Sequence, residues 1–252
     1  MTKLSTRGLT KIYNGIPVVN KIDLNIKTGQ IIGLLGRNGA GKTTTFLMLS
    51  GIVKPDSGEI FLDDQKLNGI PSYKRAELGL IYLPQQNSVF LKTTVFKNLF
   101  QILEMKTKVA EATEKAFELI EDFGLMDVRN SLAFQLSGGE KRRLEIARAM
   151  IMKPKFLFLD EPFTGIDPIT ILEIQKTVLK LKDRGIGIII TDHNVMDTFN
   201  ITDKVYVIHK GKILNYGSPS EIVKEEKTKQ LFLGDDFEWE RSSSLPKDRK
   251  NS

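Results

Sequence analysis

The stretch GRNGAGKT, Gly36 to Thr43, decides how this chain folds. It meets every fixed position of the phosphate-loop pattern G-x-x-x-x-G-K-[ST]. Ile31 to Leu35, just before it, is an unbroken apolar run, the pattern of a strand buried on both faces. A helix is expected from Lys42 to about Ser50, with Gly51 as its stop. The physics needs each part. Gly36, Gly39 and Gly41 permit backbone angles and close approaches that a β-carbon would block. Successive amide N–H groups can then turn onto phosphate oxygens, helped by the dipole at the helix start. The candidate nucleotide contacts are therefore Gly36, Arg37, Asn38, Gly39, Ala40, Gly41, Lys42, Thr43 and Thr44. Lys42 supplies positive charge to the β- and γ-phosphates. Thr43 offers a hydroxyl to Mg²⁺, which takes oxygen ligands.

Around this loop the pattern is strand–helix alternation. Ile22, Leu24 and Ile26 alternate with Lys21, Asp23, Asn25 and Lys27, the period of a half-buried strand. Pro55 to Gly58 reads as a turn, and Glu59 to Leu62 as a strand. Between about 86 and 153 the period becomes helical, with Val109, Ala112, Ala116, Leu119 and Phe123 on one face and Leu144, Ala147 and Ile151 on the next. Strands return at Phe156 to Leu159, Ile186 to Ile190 and Val205 to Ile208. A helix bearing Ile171, Ile174, Val178 and Leu181 lies between them. The expected fold is an α/β phosphate-loop NTPase core with a mostly parallel sheet, an antiparallel β region near the N-terminus and a helical subdomain inserted at about 86–153. One domain over 1–240 is expected, followed by a polar tail, 241–252, with the composition of a disordered segment.

Phe156 to Leu159 leads straight into Asp160 and Glu161. Ligands of open α/β sheets bind beyond the strands' C-terminal ends, where this pair falls. Asp160 is the candidate Mg²⁺ ligand, and Glu161 the candidate general base for an attacking water. A second phosphate-ready helix start follows from LSGGE, Leu136 to Glu140. Ser137 can cap the helix KRRLEIARAM there, with the amides of Gly138 and Gly139 exposed beside it.

Composition bounds the rest. The chain has 252 residues, 37 Lys and Arg against 31 Asp and Glu, and a formal charge of +6. Such a surplus suits nucleic acid, an anionic membrane face, a polyphosphate ligand or mere solubility. There is no cysteine, so disulfides and thiolate metal sites are excluded, and His193 and His209 are the only histidines. No apolar run approaches the roughly 20 residues of a spanning helix, and the N-terminus has no apolar core of signal-peptide type. The chain is expected in the cytoplasm, reaching a membrane only through a partner.

Taken together, the phosphate loop, the DE pair and LSGGE resemble the ATP-binding cassette of ABC transporters, over roughly Leu4 to Gly217. The resemblance implies two cassettes paired head to tail as a homodimer, with ATP and Mg²⁺ between one chain's phosphate loop and the other's LSGGE. It implies in-trans ATP contacts by Ser137, Gly138 and Gly139, and a loop crossing the dimer through Asp167 of GIDP, Gly165 to Pro168. Tyr13 resembles the aromatic that stacks on adenine. Gln85 resembles the glutamine that senses the γ-phosphate and Mg²⁺, with Gln86 beside it. His193 resembles the switch histidine, joining Glu161 and Gln85 as the catalytic candidates, while His209 reads as structural or exposed. Arg37 stands where related transporters commonly have proline, its side chain expected to point away from phosphate. Two transmembrane permease subunits are implied as partners, on the cytoplasmic face of the inner membrane. The apolar triplet Val89, Phe90 and Leu91 is the expected docking point for a helix of theirs, with Val95, Leu99 and Phe100 kept for the core.

Within the family, TDHNV (Thr191 to Val195), FLGDDF (Phe232 to Phe237), LSGGEKRRLEIARA and YLPQQNSVF resemble lipopolysaccharide-export ATPases. The ATPases of branched-chain amino acid importers share several of these features and are the alternative. Cassettes that act on nucleic acid usually carry two cassettes per chain or a long coiled coil. With one phosphate loop, one LSGGE and no sustained heptads here, a nucleic-acid partner is not expected.

Overall fold

A computed structural model describes residues 1–86, 88–234, 237 and 239. The run Ile31–Leu35 forms β4, and all five of its residues are buried. Its apolar side chains serve both faces of a sheet. Ile32 and Leu34 pack with Phe46, Met48 and Phe158 on one side, while Ile31 joins Leu144, Ile174, Val178 and Ile188 on the other. An alternating strand could not do this, which is why the continuous run was informative.

The chain opens with β1 (Lys3–Tyr13), β2 (Ile16–Ile22) and β3 (Asn25–Lys27), and after β4 and α1 (Lys42–Leu49) continues through β5 (Ser57–Leu62) and β6 (Gln65–Lys66). These strands, apart from β4, form an antiparallel sheet in the order β2-β1-β5-β6, with β3 also paired to β1. Then come α2 (Ser72–Glu77), β7 (Leu80–Leu83), three helices, namely α3 (Val95–Glu104), α4 (Val109–Asp122) and α5 (Gly138–Met150), and β8 (Phe156–Asp160). The last third holds α6 (Pro168–Asp183), β9 (Gly187–Thr191), α7 (Val195–Ile201), β10 (Lys204–His209), β11 (Lys212–Gly217) and α8 (Pro219–Lys224). The second sheet runs β11-β10-β4-β9-β8-β7. Its pairings are parallel from β10 through β7, with β11 antiparallel at the edge. The expected architecture is present: a mostly parallel core, an antiparallel region and helices between β7 and β8. Because β4, β7, β8 and β9 run the same way, the loops after all four open on one edge of the sheet.

Several local expectations need correction. The stretch 21–27 keeps its alternation of burial but is two strands: β2 ends at Ile22, and the Asp23 carboxylate turns aside to accept from the Gly8 N–H at 2.5 Å. Val109 does not face the core; it is exposed in the first turn of α4. Val89 is buried with Val95 and Leu99, leaving only Phe90 and Leu91 of the triplet exposed. Gly139 is buried against Thr170, while Gly138 beside it is exposed. Asp235, Asp236 and the tail 241–252 lie outside the described residues, as does Asn87 of the loop after β7.

No local pattern singles out Arg75. Its buried guanidinium donates to the carbonyls of Met48 and Leu49 at 2.8 and 2.9 Å, satisfying the last turn of α1, and to those of Leu67 and Ile70. Gly51, at φ 79°, lets the chain turn beneath it. The helix that begins at the phosphate loop is thus anchored at its far end.

Candidate nucleotide site

The loop from β4 to α1 is shaped by two tight approaches. A β-carbon on Gly36 would stand 2.3 Å from the Ile208 carbonyl oxygen, and one on Gly41 would stand 2.5 Å from that of Val18. Gly41 also has φ 106°, which L-residues with side chains avoid. A cavity of about 400 Å³ lies over the loop, lined by Asn38 to Thr44 with Val18, Gln85, Glu161 and His193. Arg37 is exposed and does not line it. Neither does Tyr13, which ends β1 half-exposed with the Lys11 ammonium 5.3 Å from its ring centre.

Lys42 is a test of what the loop can hold. Its side chain is buried, yet no carboxylate pairs with it within 4 Å among the described residues. Its ammonium donates instead to the loop's own carbonyls, Gly36 at 2.8 Å and Arg37 at 3.3 Å. Burial lowers its pKa, and the nearby charges of Glu161, Asp160 and Asp192 oppose that shift. A buried cation held only by neutral oxygens, under a glycine cradle, fits a phosphate group.

Asp160 is nine-tenths or more buried at the end of β8. Its Oδ1 accepts from the Thr191 hydroxyl at 2.5 Å and lies 3.4 Å from Thr43 Oγ1. Its Oδ2 accepts from the Tyr82 hydroxyl at 3.0 Å. A carboxylate oxygen beside a threonine hydroxyl at the mouth of the phosphate loop is the oxygen-rich donor set that Mg²⁺ accepts.

Glu161 stands next in the chain with φ 47°, a left-handed backbone for a residue with a side chain. Such conformations cost on the order of 1 kcal/mol or more and persist when the surroundings enforce them. Here its N–H donates to the Thr191 carbonyl at 2.8 Å. The carboxylate is bracketed: Gln85 Nε2 donates to Oε2 at 2.6 Å, and His193 Nε2 lies 2.6 Å from Oε1. The three catalytic candidates, drawn from loops after β7, β8 and β9, therefore meet at one carboxylate.

Asp192, which the sequence reading passed over, makes this possible. It is buried between His193 and Thr191 and accepts from the Phe163 N–H at 2.8 Å and the Asn194 N–H at 2.9 Å. It thereby ties the loop carrying Glu161 to the loop carrying His193. Burial raises its pKa, partly offset by those backbone donors. An acidic residue directly after the strand Gly187–Thr191 was the available signal.

The LSGGE segment forms a separate cluster. Ser137 caps α5 in a reciprocal box with Glu140, accepting from its N–H at 3.2 Å and donating its own N–H to the Glu140 carboxylate at 2.8 Å. Asp167 caps α6, accepting from the Thr170 N–H at 3.0 Å and its hydroxyl at 2.6 Å. The two caps sit together, because a β-carbon on Gly139 would lie 2.0 Å from Thr170 Cγ2, and one on Gly138 would lie 3.8 Å from Ile166. Ser137, Gly138 and Asp167 are exposed, and none lines the phosphate-loop cavity.

Two more residues went unnoticed in the sequence. Arg142 and Glu145 on α5 are both buried and pair at 2.9 Å. Arg142 donates to the Pro84 carbonyl at 3.1 Å, and Glu145 accepts from the Ser88 N–H at 2.5 Å. The helix behind LSGGE thus grips both ends of the Gln85 segment. Beyond it, the Arg148 guanidinium lies 4.3 Å from the centre of the Phe90 ring.

This fold and this site define an ATP-binding cassette. The family model described as ABC transporter matches residues 19–164. The chain is 43% identical over 239 residues to the lipopolysaccharide export system ATP-binding protein LptB of Haemophilus influenzae, covering 94% of this chain and 99% of that one. It is 46% identical over 236 residues to the protein of the same description from Acidithiobacillus ferridurans, at 93% and 98% coverage. A solved nucleotide-free ATP-binding cassette from an ABC transporter superposes with a TM-score of 0.84, at 25% identity, over 93% of this chain and 100% of that one. The chain belongs to the ABC transporter family, as an ATP-binding and ATP-hydrolysing cassette.

Proposed function

We propose that this chain is the ATPase subunit of a lipopolysaccharide exporter, working as a homodimer of cassettes beneath two membrane permease subunits on the cytoplasmic face of the inner membrane. Identity of 43–46% to LptB proteins over nearly the full length of both chains supports the lipopolysaccharide assignment. No helix among the described residues is long and apolar enough to cross a membrane. Residues 86–153 act as a helical subdomain.

The observation that carries the hydrolytic reading is the Glu161 carboxylate, held between Gln85 and His193 at the rim of the phosphate loop. The loop amides and Lys42 bind the phosphates, with the ammonium exchanging its two carbonyl partners for phosphate oxygens. Thr43, Asp160 and Gln85 hold Mg²⁺, which neutralises phosphate charge when bound. Glu161 takes the proton of the attacking water, and its short contacts to Gln85 and His193 loosen as the carboxylate turns to it. His193 and Gln85 can each turn toward the γ-phosphate as they let go. Tyr13 stacks on the adenine. Ser137, Gly138 and Asp167 complete the site of the opposite chain, consistent with their exposure away from this chain's own cavity. Gly139 contributes by letting α5 approach Thr170 closely. Phe90, backed by Arg148, and Leu91 form the groove for a permease helix, with Val89 as part of its buried floor.

Purification of the membrane-embedded complex tests the transport assignment. Co-purifying membrane proteins with large periplasmic domains support export of lipid. A periplasmic substrate-binding protein in the complex would contradict it.

A further inference from the structure

The sheet register places Tyr82 where no part of the proposed hydrolytic machinery uses it. On β7, Tyr82 pairs with Phe158 of β8. Side chains alternate along a strand, so Phe158 and Asp160 share a face, and Tyr82 is the diagonal neighbour of Asp160 on that face. Phe46 of α1 covers the same face. Its ring meets Phe158 at 5.7 Å and Tyr82 edge-on at 6.3 Å. The phenol ring is therefore locked by packing, and its hydroxyl is aimed at Asp160 Oδ2 at 3.0 Å. On the other side of β8, β9 pairs Thr191 with Asp160, and the Thr191 hydroxyl donates to Oδ1 at 2.5 Å. Each neighbouring strand thus delivers one donor to one carboxylate oxygen. The two donors together fix the plane of the carboxylate and turn Oδ1 toward Thr43, 3.4 Å away.

The geometry points to Tyr82 as a positioning residue for the divalent cation: its hydroxyl holds Asp160 in the orientation that Mg²⁺ needs before nucleotide arrives. The inference rests on the proposal that Asp160 is a Mg²⁺ ligand. The phenol is suited to this task because its ring is held between Phe46 and β8 and its hydroxyl reaches the carboxylate as a donor. Phenylalanine would keep the ring against Phe46 and Phe158 and remove only the donor. The carboxylate would then be held from one side alone and free to rotate about its terminal bond, a broad and soft torsion. Preorganisation, rather than charge, is what would be lost, so the effect falls on the cation and not on the nucleotide's own affinity.

The test measures binding of a fluorescent nucleotide with Mg²⁺ chelated and across a Mg²⁺ titration, in the parent, Tyr82→Phe, Thr191→Val and Asp160→Asn. Tyr82→Phe is expected to match the parent when Mg²⁺ is chelated and to need about five- to tenfold more Mg²⁺ for half of the cation-dependent change, the factor expected for losing one hydrogen bond of ordinary strength. Thr191→Val should move the Mg²⁺ midpoint in the same direction, which gives the inference a second reading should Tyr82→Phe fold poorly. Asp160→Asn should abolish the Mg²⁺ response. A lost response in Asp160→Asn with parental midpoints in the two donor variants would overturn the positioning role alone. A parental Mg²⁺ response in Asp160→Asn would overturn the cation-site assignment beneath it. Equal loss of nucleotide binding by Tyr82→Phe with and without Mg²⁺ would show a merely structural role and overturn the inference too.

Discussion

At the scale of single residues, the site depends on a few side chains held against their ordinary tendencies. Glu161 sits in a left-handed backbone conformation, and Lys42 is buried without a carboxylate partner among the described residues. Both costs are carried by neighbours: the Thr191 carbonyl for Glu161, and the carbonyls of Gly36 and Arg37 for Lys42. Glu161→Gln separates binding from turnover. The amide preserves shape but cannot take a proton from water, so steady ATPase activity should fall by about 10²–10⁴-fold, the range of general-base contributions. Nucleotide affinity, measured by equilibrium titration, should stay close to the parent. Turnover within threefold of the parent would remove Glu161 from the base position. Glu161 was proposed from the sequence because it follows a buried strand run, and His193 and Gln85 because they resemble family motifs. Their convergence was not. It depends on Asp192 accepting from two backbone N–H groups of different loops, a relation between positions 29 residues apart that no local pattern carries.

At the scale of elements, the reading of the strands followed their burial. β4, β8 and β9 are buried throughout, and apolar up to the Asp160 and Thr191 that close β8 and β9, because both faces are covered, and each was legible as a continuous run. The break between β2 and β3 was not, since it keeps the alternation and shows only in a diverted Asp23. Val89 was misjudged for a similar reason. A consecutive apolar triplet in a loop has no period, and only the packing of α3 beneath it decides which member turns inward. The grip of α5 on the Gln85 segment also lay beyond pattern reading, because Arg142 and Glu145 resemble the solvated charges around them in KRRLEIARA. Their burial makes a strong claim. Glu145→Ala leaves the Arg142 guanidinium buried beside an unpaired Ser88 N–H, and breaking a buried pair from one side costs about 3–5 kcal/mol. Denaturant unfolding should show a loss of that order. A change below about 1 kcal/mol would place the pair in solvent and dissolve the link between α5 and the loop.

At the scale of the whole molecule, one chain presents two unlike surfaces: a phosphate loop beside Glu161, and a pair of helix caps at Ser137 and Asp167 that do not line the same cavity. A third surface, the exposed Leu91 and Phe90 with Arg148 against the Phe90 ring, stands beside the Gln85 segment. If it receives a permease helix, Phe90→Ala should weaken the complex by about 2 kcal/mol, as truncation of an aromatic anchor does, while the isolated chain keeps its basal ATPase. Normal pull-down of the permease by Phe90→Ala would refute that docking point. The central claim is that the first two surfaces complete each other across a head-to-tail pair, and mixed dimers test it directly. With Lys42→Ala in one chain and Ser137→Arg in the other, both lesions fall in the same composite site and the second site is intact, so about half the parental ATPase activity should remain if the sites act independently. With both substitutions in one chain opposite a parental partner, each site carries one lesion and activity should collapse. Equal activity from the two arrangements would contradict the pairing.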